Sequence, residues 1–177
     1  MAKRTFDPEA VLAALARGEM HCGEGAMRID SRGIWYHEDA PIRRIELVKL
    51  FRTALRRAPD GRHWLLTPFE RIPVEVEDAP FLAVELAAGG EGRSQRLHFR
   101  TNLDEWLLLG ADASWRLRRC GEALVPYLVL EDGLEARVTR PVYYELAAKA
   151  VPGPEQRGAP LGVWSAGRFF PLEDGGA

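Results

Sequence analysis

The stretch whose reading decides the fold is Cys22–Phe51, CGEGAMRIDSRGIWYHEDAPIRRIELVKLF, because a degenerate copy returns at Cys120 as CGEALVPYLVLEDGLEARVTRPVYYELAAKA. Gly33 and Gly133, Pro41 and Pro141, Ile42 and Val142, and Lys49 and Lys149 each lie 100 residues apart. Trp64 with Trp164 and Phe69 with Phe169 keep that register, while the two Cys-Gly-Glu triplets are 98 residues apart. Structural punctuators held in one register point to a supersecondary unit used twice, and the unit reads as strand, turn, strand, proline, helix, strand. The expected fold class is therefore α+β: two repeated units of antiparallel strands plus one helix, with an N-terminal helix and a central β-meander. The corresponding divisions are 1–21 for the N-terminal helix, 22–88 for the first unit, 89–119 for connecting strands, 120–171 for the second unit and 172–177 for a disordered tail.

Working outward, Asp7, Pro8, Phe6 and Val11 read as N-cap, first helical residue and hydrophobic staple of the N-terminal helix. Met27, Ile29, Ile34 and Tyr36 alternate around Ser31-Arg32-Gly33 as a hairpin. Pro41 is expected to open a helix whose wide apolar face makes it the most buried one, through Ile45, Val48, Phe51 and Leu55. IPVEVEDAPFLAVEL, from Ile72 to Leu86, reads as two strands joined by a turn at Asp78–Pro80. Asp132-Gly133 signals a two-residue hairpin, and Pro141 opens a second helix with Val142 and Leu146 on its core face. Trp64 and Trp164 read as core anchors of the two units.

Composition bounds the function. The 177 residues carry 24 basic and 26 acidic side chains, a net charge of −2, with 46% hydrophobic residues. That balance gives no pull toward nucleic acid. No run approaches the roughly 18 apolar residues of a membrane span, and the amphipathic, acid-capped N-terminus lacks the pattern of a secretion signal, so the expected location is cytoplasmic with no membrane partner. Cys22 and Cys120 occupy matching places in the two copies, and a cytosolic setting keeps them reduced.

No catalytic motif is complete, so the reading leans away from an enzyme and implies no cofactor. Arg100 and Asn102 end a strand at a loop, a usual place for ligand-contacting groups. Arg140 stands at a predicted helix N-terminus, where a cation and free backbone N–H groups can hold an anion; the competing reading is a surface arginine with its stem on Tyr144. Arg100, Asn102 and Arg140 are the candidate ligand-binding residues, with a small anionic ligand as the expected partner. An alternative is a metal-dependent, hydrolase-like enzyme using Glu75, Glu77 and Asp78, since alternate carboxylates on a strand project about 7 Å apart on one face. The plain counterpart of that reading is the polar face of a half-exposed sheet. A third possibility is a protein-interaction scaffold using sheet edges and exposed aromatics.

The motifs EVEDAPFLAVEL (75–86), FRTNLDE (99–105), GLEARVTRPVYYEL (133–146) and GVWSAGRFF (162–170), together with CGEGAMRIDSRGIWYHEDAPI (22–42), resemble the bacterial family called domain of unknown function 1285. The resemblance runs from about Cys22 to Phe170. It implies an α+β protein with repeated structural motifs, no established enzymatic activity, and a part in ligand binding or signal transduction. It assigns no catalytic residues.

Overall fold

The computed structural model describes residues 27–67, 70–154 and 159–173. The expected N-terminal helix, Cys22 and Phe69 lie outside them. The chain divides between Asp78 and Ala79 into two units, inside the stretch 22–88 that the sequence reading treats as one.

The first unit begins with β1 (Met27–Ile29), β2 (Trp35–His37) and β3 (Ala40–Pro41). Asp30 shapes the first turn: its Oδ1 accepts the N–H groups of Arg32 and Ile34, each at 2.9 Å. Gly33 closes this three-residue loop at φ +74, a left-handed conformation that glycine adopts without strain. Helix α1 (Ile45–Ala54) follows. Pro41 does not open it, because the Ile42 N–H still bonds the Trp35 carbonyl at 2.8 Å and extends the strand pairing. Then β4 (Leu55–Arg57), β5 (His63–Leu66) and β6 (Arg71–Val76) make an antiparallel meander. The sheet order is β3-β2-β1-β6-β5-β4, with β1 and β6 parallel at its centre. Met27, Ile29, Trp35, Leu55, Leu65 and Val74 are buried as its core.

The second unit repeats that order with other strands. β7 (Phe81–Gly89), β8 (Arg96–Thr101) and β9 (Trp106–Leu108) form one meander, and β10 (Ala113–Cys120), β11 (Ala123–Leu130) and β12 (Glu135–Val138) another. The sheet order is β10-β11-β12-β7-β8-β9, again with its one parallel pair, β12 and β7, at the centre. A flat sheet of six strands would separate its edges by about 24 Å, whereas the chain from Leu108 to Ala113 reaches at most about 18 Å. The sheet must therefore curl until its edge strands approach each other. Leu97 and Phe99 of β8, with Leu128 and Leu134, fill its core, while Tyr127, also buried, lies on the opposite face of β11 from Leu128.

Helix α2 (Arg140–Ala147) packs Val142 and Leu146 inward, and the Thr139 hydroxyl donates to the Ala83 carbonyl at 3.0 Å. A third sheet, β13 (Val151–Pro152), β14 (Leu161–Ser165) and β15 (Arg168–Pro171), ends the unit. The buried Ser165 hydroxyl ties it down by donating to the Leu109 carbonyl at 2.7 Å and accepting the Leu97 N–H at 3.0 Å.

These observations overturn the α+β expectation. Fifteen strands, two α-helices and one 3-10 turn make the described residues mostly β. The two copies of the quoted stretch do share a turn, since Gly133 closes the loop after Leu130 at φ +77 just as Gly33 does after Asp30. The loop has three residues rather than two. The likeness stops there, because the leading strand β1 takes the parallel neighbour in the first unit and the trailing strand β12 takes it in the second.

Three further expectations are corrected. β6 and β7 are not a hairpin: they belong to different sheets on either side of the division at Asp78. Helix α1 buries only Val48 fully and leaves Leu50 62% exposed. Trp64 and Trp164 are half-buried, and the fully buried tryptophan is Trp35, stacked on Phe51 with ring centroids 6.0 Å apart. No helix among the described residues is long and apolar enough to cross a membrane.

Candidate functional site

The first turn of α2 borders a groove of about 570 Å³ between that helix and the ends of β11 and β12. Arg137 comes from β12 and Arg140 from the first helical position, where Pro141 fixes the entry of the chain into the helix. Tyr143 and Tyr144 follow on the helix, their ring centroids 6.2 Å apart and their planes inclined at 58°. Leu124, Val125 and Pro126 of β11 supply an apolar wall. The Thr139 side chain is committed to Ala83 and makes no cap bond to the helix.

The lining holds two arginines and no carboxylate. Glu135, two residues before Arg137 on β12, is held by Arg116 at 2.8 Å and by Arg118 at 2.5 Å. The strand register places Arg116, Tyr127 and Arg137 in one row across β10, β11 and β12, and the Arg118 guanidinium lies 4.0 Å over the Tyr127 ring. Glu135 is thus engaged by two arginines of β10.

Of the candidate residues, Arg140 lines the groove, and Arg100 and Asn102 do not. Arg100, on β8, bonds Glu85 at 2.6 Å and Asp104 at 2.9 Å. The Glu85 carboxylate, by its hydrogen bond, makes the Arg100 guanidinium hold its proton more tightly than usual. Asn102 serves the fold: its Oδ1 accepts the Leu82 N–H at 3.0 Å and its own N–H donates to the Leu82 carbonyl at 2.9 Å.

The carboxylates of the metal alternative are placed as follows. Glu75 is exposed on β6, Glu77 accepts from Arg28 Nη1 and from the Ser31 N–H, each at 2.9 Å, and Asp78 is half-buried at the division between the units. Among the described residues no group of three His, Cys, Asp or Glu side chains is arranged to hold a metal ion. Arg137, Tyr143 and the β11 wall escape a sequence reading, because only the strand register and the packing of α2 bring residues 123–126 beside residues 137–144. The signal that was present is the RPVYYEL run, which sets a cation and two aromatics on one helical turn.

The fold and groove define a predominantly β protein of two six-stranded units, the second carrying a helix-bordered cationic groove. The chain belongs to the DUF1285 family: the model of its N-terminal domain, a domain of unknown function, matches residues 19–79, and that of its C-terminal domain, from a protein of unknown function, matches residues 80–172. The crystal structure of a DUF1285 family protein from Silicibacter pomeroyi DSS-3 is similar at 32% identity and a TM-score of 0.76, covering 91% of this chain and 93% of that one. That of a DUF1285 family protein from Shewanella baltica OS155 is similar at 25% identity and a TM-score of 0.55, covering 68% and 89%. No curated relative matches the chain.

Proposed function

We propose that this protein is a cytoplasmic, non-enzymatic module that binds a small anionic ligand in the groove beside α2 and serves a regulatory role through its occupancy. The observation that carries the reading is the convergence of Arg137, Arg140, Tyr143 and Tyr144 on one concavity whose lining has no acid. A guanidinium offers several donors in a fixed fork that matches carboxylate and phosphate oxygens. The lining joins apolar side chains to two arginines and two tyrosines, and about 570 Å³ falls inside the common range of roughly 300–1,000 Å³ for small-molecule sites. Arg100 and Asn102 support the frame in this reading, since their polar groups are spent on Glu85, Asp104 and the Leu82 backbone.

The test is a thermal-shift screen of the whole chain against organic acids, nucleotides, sugar phosphates and divalent metals. A ligand of the native state at about 100 times its dissociation constant adds roughly 2.7 kcal/mol. A raised midpoint with one anionic class, lost in Arg140→Ala and kept in Arg100→Ala, is the expected result. A rise with divalent metals alone would favour the carboxylate enzyme instead.

A further inference from the structure

The groove is built for more than a charge. Its volume is many times the ~30 Å³ that one water occupies in the liquid, so a bare inorganic anion at Arg140 would leave most of it filled with water. Beyond the two arginines the walls are Leu124, Val125 and Pro126 on one side and the tyrosine rings on the other. Tyr144 is 64% exposed, a large aromatic surface left open at the mouth of the cavity. Aromatic rings favour offset or edge-on contact with other rings at centroid distances of about 4.5–7 Å. The tilted Tyr143–Tyr144 pair offers both a face and an edge.

We infer that the groove takes an aryl-substituted organic acid, its carboxylate on Arg137 and Arg140 and its ring on Tyr143 and Tyr144 against the Val125–Pro126 wall. This rests on the anion-binding reading above and gives its ligand a chemical class. The arginines select the sign of the charge, and the apolar walls reward the size of the body. Small hydrophilic anions meet only the first condition, and aromatic amines only the second.

Calorimetric titration of the whole chain with acetate, inorganic phosphate, 1-naphthylacetate and 1-naphthylmethylamine separates these conditions. The expected result is that 1-naphthylacetate binds at least tenfold more tightly than acetate or phosphate, and that the amine does not bind. Arg140→Ala should weaken 1-naphthylacetate at least tenfold. Tyr144→Ala should weaken it at least threefold and leave acetate unchanged. Both side chains are exposed, so both variants keep the fold, and circular dichroism verifies this. Acetate or phosphate binding as tightly as 1-naphthylacetate would overturn the aryl assignment and leave the anion reading standing. Equal binding of acid and amine, or of 1-naphthylacetate to wild type and Arg140→Ala, would overturn the anion reading itself, as would no binding by any anion.

Discussion

Asp30 shows how one side chain sets a turn and a pH response. It is nearly buried, and its carboxylate accepts from the backbone of Arg32 and Ile34, from the Arg32 guanidinium at 2.8 Å and from the Tyr36 hydroxyl at 3.1 Å. Burial pushes its pKa up, but the Ile34 N–H and the Arg32 and Tyr36 bonds outweigh that and hold it below the ordinary value. A carboxyl whose pKa is lower folded than unfolded contributes its full stability above the unfolded value, about 3.9, and loses it as pH falls through the folded value. Asp30→Ala should cost about 1–3 kcal/mol near neutral pH, as charged hydrogen bonds do. That gap, measured by urea unfolding, should shrink steadily below about pH 4. A second residue-scale test is steric. A Cβ on Gly162 would fall 2.6 Å from the Phe169 ring and clash with the Phe170 carbonyl oxygen. Gly162→Ala should therefore destabilise by about 1–3 kcal/mol, the usual range for overpacking, read as a lowered unfolding midpoint.

At the scale of elements, the two helices invert what their patterns suggest. The run from Ile45 to Leu55 is the more apolar, yet α1 leaves Ile45, Leu47 and Leu50 exposed, while the shorter α2 buries Leu146 completely. Leu146→Ala should cost about 2–5 kcal/mol, and Leu50→Lys should stay within about 0.5 kcal/mol of wild type, both by denaturant unfolding. Periodicity fixes which residues share a face but not what that face meets. The same limit explains the strands. The alternation of Ile72, Val74 and Val76 and of Leu82, Val84 and Leu86 marks β6 and β7 as strands, and both form. Each has one local partner, β5 or β8, and one remote partner, β1 for β6 and β12 for β7, which lies 45 or more residues away. Local chemistry was legible where it is self-contained: the Gly33 and Gly133 loops, the Pro141 helix start, and the Val142 and Leu146 face.

At the scale of the whole molecule, the repeated feature is the strand order and not the strand-and-helix unit. Each unit joins two three-stranded meanders through a central parallel pair. The first crosses its sheet by way of α1, a ten-residue helix of about 15 Å, and the second by the four-residue link that forces its sheet to curl. No fixed sequence offset reveals this, because the connections differ in length and kind. The groove was half legible for the same reason. Arg140 could be singled out from its place before Pro141, whereas its companions at 123–126 and Arg137 required the register of β11 on β12. The account stands or falls on where an organic anion binds. Amide chemical-shift mapping of the whole chain during a titration with 1-naphthylacetate tests this most directly. The account predicts that the largest changes fall on residues 123–126 and 137–144; changes centred on Glu85, Arg100 and Asp104, or in residues 27–78, would contradict it.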